Sequence, residues 1–251
     1  MDEGKWITIN GRHIFLKEGQ SPMDAFIRSK GKESKEYKDD FPYKIDNTLE
    51  GDDLYNEMSD ESYYSEKISK EDIETIKEWY VGQSYSTDLN EHLREDKDFA
   101  IDKPIIKALD KACETYEVKE KMAGTRFVDM TYLRNAYSLE IPYGQIDRSK
   151  IADSMKEFIG SELSSKAYTS FSLNESGNGM FNNLAVKMKL NLPKGTKMFV
   201  ADNLGEYEAI LGRNKKMILK DVGFQESKIK GLEKEYGKIL LTYEVIEDEK
   251  K

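Results

Sequence analysis

Glu206 and Glu208 stand one residue apart, directly after the turn Asp202-Asn203-Leu204-Gly205 and ahead of the apolar run Ala209-Ile210-Leu211. A carboxylate pair at this spacing suits work on a glycosidic bond. Within an uninterrupted strand, residues i and i+2 project from the same face; the preceding turn lets these two diverge. A chain that is 35% charged also presents such pairs as solvated surface, so context upstream has to decide between the two readings. Two further features precede the pair: Arg126, inside the apolar segment from Met122 to Val128, and the hydroxyl-rich run Tyr168-Thr169-Ser170-Phe171-Ser172-Leu173. The order is arginine, serines, glutamates.

Composition narrows the chemistry. The net charge of -9, from 39 Lys and Arg against 48 Asp and Glu, argues against a broad basic face for gripping nucleic acid. Cys113 is the only cysteine, so no intramolecular disulfide and no cysteine-based zinc site can form. With His13 and His92 the only histidines, metal chemistry is not expected. The first twenty residues carry Asp2, Glu3 and Lys5 where a secretory signal would run from a basic start into an apolar core. No apolar stretch approaches the roughly 20 residues that span a bilayer.

The positioning elements can be read from pattern. Trp6 to Leu16 reads as two short strands around Asn10-Gly11, a strong hairpin signal. Lys30 to about Tyr64 is dense in charge and poor in aliphatics, the composition of a flexible linker. Residues 1–64 are therefore assigned to a hairpin and linker, and 65–251 to the folded domain that carries the arginine, serines and glutamates. Ser69-Lys70-Glu71-Asp72 is a variant capping box flanked by Ile68 and Ile73, followed by Ile76, Trp79 and Tyr80 at helical spacing and by Gly82 as a left-handed stop. A second helix is expected from about Lys103 to Tyr116, with Pro104 in its first turn, and Ile105, Leu109, Ala112 and Tyr116 buried beside Cys113. A third runs from about Ser149 to Ile159 and stops at Gly160. Leu184, Val186, Met188, Leu190 and Leu192 then alternate with polar or small residues, and short strands follow near 197–201, 209–211, 217–222 and 238–245. Helices first and mostly antiparallel strands later make an α+β domain. It has neither strand–helix alternation nor a glycine-rich phosphate loop, so a nucleotide must be bound another way.

The Arg126, Ser170 to Ser172 and Glu206 to Glu208 order, with a Phe-bearing loop, an alternating strand, Leu192-Pro193-Lys194-Gly195 and Gly205-Glu206-Tyr207-Glu208 between, resembles the ADP-ribosyltransferase toxin family. It is most similar to the enzymatic subunits of binary actin-modifying toxins, over roughly Ser65 to Glu247. The resemblance implies helices packed on a core of two mainly antiparallel β-sheets and NAD as substrate, without a metal. It also implies mono-ADP-ribosyl transfer to an arginine on a host protein, with slow NAD hydrolysis. Glu208 matches the catalytic glutamate, whose charge would stabilise the oxocarbenium-like ribose; Ser170 would orient it. Glu206 matches the first glutamate of the Glu-x-Glu motif, which goes with arginine acceptors. Arg126 matches the arginine that grips NAD phosphate with its forked donors, and Arg134 is a second candidate for that work. Ser172, Tyr80, Tyr85, Asn90 and Phe181 fall where relatives contact NAD, Phe181 in the position of an aromatic stacked on nicotinamide.

Three positions depart from the pattern: Phe171 at the centre of Ser-x-Ser, Ala167 where actin-modifying relatives carry asparagine, and Thr125 ahead of the arginine where an aromatic is usual. The turn before Glu206 offers no aromatic for recognising a protein target. Trp6 to Gln20 resembles segments of phage head-morphogenesis proteins, which implies an enzyme associated with a virion or delivered into host cytoplasm; an extracellular protein without a classical signal peptide is the alternative. A phage structural or adaptor protein with a non-catalytic NAD-binding domain, or a transferase for nucleic acid or water, are the competing functions.

Overall fold

A computed structural model describes residues 4–9, 12–17, 44–142, 144, 146–175, 181, 183–203 and 205–246. Strands β1 (Gly4–Ile9) and β2 (Arg12–Lys17) pair antiparallel, Ile9 opposite Arg12, as the hairpin signal predicts. The Asn10-Gly11 turn and residues 30–43 of the expected linker lie outside the described residues.

Helix α1 (Leu49–Tyr63) corrects the boundary expected at residue 64. Thr48 caps it by accepting from the Gly51 amide, and its inner face buries Gly51, Tyr55, Met58, Ser59, Ser62 and Tyr63. Those positions have helical spacing, yet three of them are glycine or serine, so the stripe does not register as apolar. Just before it, the Ile45 amide donates to the Leu173 carbonyl at 3.2 Å. Residues from 44 onward therefore pack against the rest of the chain, well inside the stretch assigned to the linker.

Helix α2 (Lys70–Trp79) begins at the predicted cap, with Ser69 accepting from the Asp72 amide, and Gly82 takes φ +69 beyond its end. Helices α3 (Tyr85–Arg94) and α4 (Asp102–Ala112) follow. Tyr116, expected on the α4 stripe, belongs instead to the two-residue strand β3 (Tyr116–Glu117), because the helix ends at Ala112. Strand β4 (Met122–Val128) leads into α5 (Met130–Tyr137), and α6 (Arg148–Met155) runs into a 3-10 turn at Lys156–Phe158. The remaining strands are β5 (Glu162–Ser164), β6 (Thr169–Ser172), β7 (Val186–Leu192), β8 (Lys197–Val200), β9 (Glu208–Leu211), β10 (Lys216–Gln225) and β11 (Lys238–Ile246).

Nine strands form a mixed sheet in the order β3-β8-β9-β6-β4-β7-β11-β10-β5, with β7 and β11 its parallel pair. The expected two sheets are the halves of this one. Among the described residues one strand pairing joins them, Thr125 of β4 with Ser172 of β6, and on either side of that pair the strands part. Along β9 the period of two separates two cores. Ile210 packs with α2, α3 and α4 residues such as Ile76, Leu89 and Leu109, whereas Ala209 and Leu211 join the core containing Leu190, Leu219 and Tyr243. Glu208, two residues before Ile210, opens the strand on the helical face.

Candidate active site

The cleft lies where β4 and β6 part. Its lining includes Thr125, Arg126 and Phe127 from β4, Ser170, Phe171 and Ser172 from β6, and Glu206 and Glu208, around a cavity of about 480 Å³. Register explains the grouping: Ser172 faces Glu208 and Ser170 faces Ile210 across the β6–β9 pair. Paired residues and their i+2 neighbours share a face, which brings both serines and the glutamate to the helical side.

Burial, with help from the nearby Glu206 charge, pushes the Glu208 carboxyl up to about 7 against the opposing pull of the Ser170 hydrogen bond and the Arg126 cation. Its Oε2 is buried with no hydrogen-bond partner among the described residues. An orphaned carboxylate oxygen at the edge of a cleft is an acceptor for a donor brought by a ligand. Glu206 lies in the turn and Tyr207 takes φ 49, so the chain bends between the two carboxylates. Ser172 fixes that bend: its hydroxyl donates to the Glu206 carbonyl at 2.8 Å and accepts from the Asn174 amide at 3.2 Å.

Arg126 donates from Nη1 to the Ser170 carbonyl at 3.0 Å, tying the cleft walls together. Burial draws its pKa down, and Arg94 on α3 adds a like charge. Two guanidiniums near one another suit a diphosphate. Tyr80 is 2% exposed, lines the cleft, and places its hydroxyl 3.5 Å from the Ser170 hydroxyl. Asn90 stands behind it, its amide donating to the Tyr80 hydroxyl at 3.0 Å while its Oδ1 accepts from the Tyr168 amide at 3.0 Å. Asn90 thus braces the wall and does not line it.

Tyr85 is likewise off the cleft. Its hydroxyl donates to Asp102 Oδ1 at 2.7 Å, and His92 Nδ1 lies 2.9 Å from the other Asp102 oxygen. Arg134 also departs from expectation: it donates to the Ile141 and Pro142 carbonyls and lines a separate cavity with Arg148 and Tyr236. Phe181 lines the cleft and is 48% exposed, open to a stacking partner. Gly82 and Gln83, ahead of α3, and Ser86 and Thr87 in its first turn also line it, and the sequence marks none of them as a site residue. Ser84, just before α3, makes no side-chain cap.

The departures have local reasons. The Phe171 ring lies over Gly124, where a Cβ would overlap the ring carbons; the large residue at the Ser-x-Ser centre is matched by an absent side chain on β4. Thr125 is 1% exposed and its hydroxyl has no partner among the described residues. Ala167 is fully buried, and its carbonyl accepts from the Ser165 hydroxyl at 2.8 Å.

A splayed mixed sheet with arginine, serines and a buried glutamate at the parting is the architecture of an ADP-ribosyltransferase. The sequence model of the ADP-ribosyltransferase exoenzyme family matches residues 55–247, and the chain belongs to that family. Among solved structures it is similar to Plx2a, an ADP-ribosyltransferase toxin from Paenibacillus larvae. Identity is 20%, over 81% of this chain and 100% of that one, with a TM-score of 0.62. It is similar to C3stau2 from S. aureus, solved with NAD, at 18% identity over 83% and 100% of the two chains and a TM-score of 0.64. The enzymatic component C2-I of the C2-toxin from Clostridium botulinum has 17% identity and a TM-score of 0.62; the match covers 97% of this chain and 55% of C2-I. No curated protein sequence matches the chain.

Proposed function

We propose that this protein is a mono-ADP-ribosyltransferase that moves ADP-ribose from NAD to an arginine side chain of a target protein. The observation that carries this reading is the buried Glu208 carboxyl, held by Ser170 with Oε2 unpartnered, one residue from a second glutamate on a bent turn.

In this account Arg126 and Arg94 hold the diphosphate of NAD, and Phe181 covers the nicotinamide. Glu208 Oε2 accepts from a ribose hydroxyl. The bond between nicotinamide nitrogen and ribose C1 breaks, its electron pair leaves with neutral nicotinamide, and the ionised Glu208 stabilises the cationic ribose. A guanidine nitrogen of the acceptor, oriented by Glu206, bonds to C1, and Glu206 takes the proton it loses. Where water enters instead, NAD is hydrolysed slowly. Ionisation of Glu208 is favoured by the nicotinamide positive charge once NAD is bound.

The acceptor is proposed to be a protein of the cell that receives the enzyme. The proposed tie to a phage particle rests on the amino-terminal likeness alone. A Glu206→Gln variant tests the arginine assignment: it should hydrolyse NAD at near the wild-type rate while losing transfer to agmatine. Transfer to agmatine that survives this change would refute an arginine acceptor oriented by Glu206.

A further inference from the structure

Helix α1 reaches the turn that carries Glu206 and leads into Glu208. Asp52, in its first turn, accepts a hydrogen bond from the Tyr207 hydroxyl at 2.5 Å. One helical turn on, the buried Tyr55 donates its hydroxyl to the Ala201 carbonyl and accepts from the Asn203 amide at 3.3 Å. The Tyr55 and Tyr207 rings meet edge to face, 5.1 Å apart at 67°. The helix therefore grips the turn at its entry, through Ala201 and Asn203, and at Tyr207 between the two carboxylates.

Tyr207 is where the grip matters. Its φ of 49 is a left-handed conformation that a residue with a Cβ adopts only when held there. That bend takes Glu206 off the strand line while Glu208 stays on it. Its backbone is tied on both sides, its amide to the Asn203 carbonyl at 2.9 Å and its carbonyl to the Leu173 amide at 2.8 Å. The hydroxyl bond to Asp52 and the ring contact with Tyr55 restrain the side chain of the same residue. We infer that Asp52 and Tyr55 are positioning residues, through which helix α1 sets the angle between Glu206 and Glu208 by clamping Tyr207 and the turn before it. The inference rests on the roles proposed above for the two glutamates.

The clamp should act more on transfer than on NAD hydrolysis, because Glu208 is also fixed by β9 whereas Glu206 depends on the turn. Tyr207→Phe deletes the hydroxyl, Asp52→Ala deletes its acceptor, and Asp52→Asn keeps an acceptor oxygen in place. Transfer to agmatine is expected to fall roughly ten-fold or more in Tyr207→Phe and in Asp52→Ala, as a small displacement of a positioned group does. NAD hydrolysis and the KM for NAD should change less. The double variant should lose no more than either single one, since both remove one interaction, and Asp52→Asn should restore most of the transfer. An unchanged ratio of transfer to hydrolysis in the single variants, or losses that multiply in the double, would overturn the clamp.

A wild-type protein that gives no transfer to agmatine would refute the acceptor reading, not the clamp. The clamp is then decided by amide hydrogen exchange at Glu206 and Tyr207, both of which donate to the Asn203 carbonyl. Exchange should be faster in Tyr207→Phe and Asp52→Ala than in wild type and Asp52→Asn; equal rates in all four would overturn it.

Discussion

Replacing Glu208 by glutamine should stabilise the protein, and by an amount that depends on pH. The carboxyl is pushed from its ordinary 4.5 to about 7, chiefly by burial. The folded state thus holds the proton more tightly than the unfolded chain. That contribution to stability is fully present below about pH 4.5 and is lost as pH rises through about 7. At about 1.4 kcal/mol per pH unit of displacement, the ionised carboxylate costs the fold roughly 3 kcal/mol above neutrality. Glutamine has nearly the same shape, can still bond to Ser170, and never ionises. Urea unfolding of both proteins at about pH 5 and about pH 8 isolates the effect, because every other titrating group is common to the pair. The advantage of Glu208→Gln over wild type should grow by roughly 2–3 kcal/mol between those two conditions. In thermal unfolding near pH 8 the shift is of order 5–10 °C for a chain of this size. A difference that stays constant with pH would refute the raised pKa and, with it, the stored electrostatic cost at the Glu208 carboxylate.

Three other outcomes follow from the same site. In NAD hydrolysis, kcat/KM for NAD should fall about ten-fold for each pH unit below about 7, since the free enzyme must have Glu208 ionised; a flat profile from about pH 5.5 to 8 contradicts that. Gly124→Ala drives a Cβ into the Phe171 ring and should cost roughly 1–3 kcal/mol in denaturant unfolding, with partial recovery when Phe171→Leu is added. Asn90→Ala removes a partner from both the Tyr80 hydroxyl and the Tyr168 amide; stability should drop by roughly 1–3 kcal/mol, and the KM for NAD should rise as the Tyr80 wall loosens.

Much of the scaffold was legible because its signals are local. Ser69 caps α2 as its spacing to Asp72 predicts, and the alternation ending at Leu192 becomes β7. Helix α1 was missed because glycine and serines share its buried face with Tyr55, Met58 and Tyr63. Helix α5 was missed because it is short and buries only Leu133 and Tyr137. Within the site, Arg126, Ser170, Ser172, Phe181, Tyr80, Glu206 and Glu208 all line the one cleft. Tyr85 does not, because Asp102, remote in sequence, takes its hydroxyl. The single Thr125–Ser172 pairing that opens the cleft, and the fit of Phe171 over Gly124, are cross-strand facts. No local pattern encodes either.

The central claim is that Glu208 drives cleavage of NAD toward an arginine acceptor. The most direct measurement is nicotinamide release from NAD by the purified chain, with and without agmatine, beside Glu208→Gln, together with mass analysis of the agmatine. The account predicts release that rises with agmatine, an ADP-ribosyl adduct on its guanidine, and loss of both in the variant by roughly a hundred-fold or more. Full activity in Glu208→Gln, or release that agmatine neither increases nor captures, would contradict it.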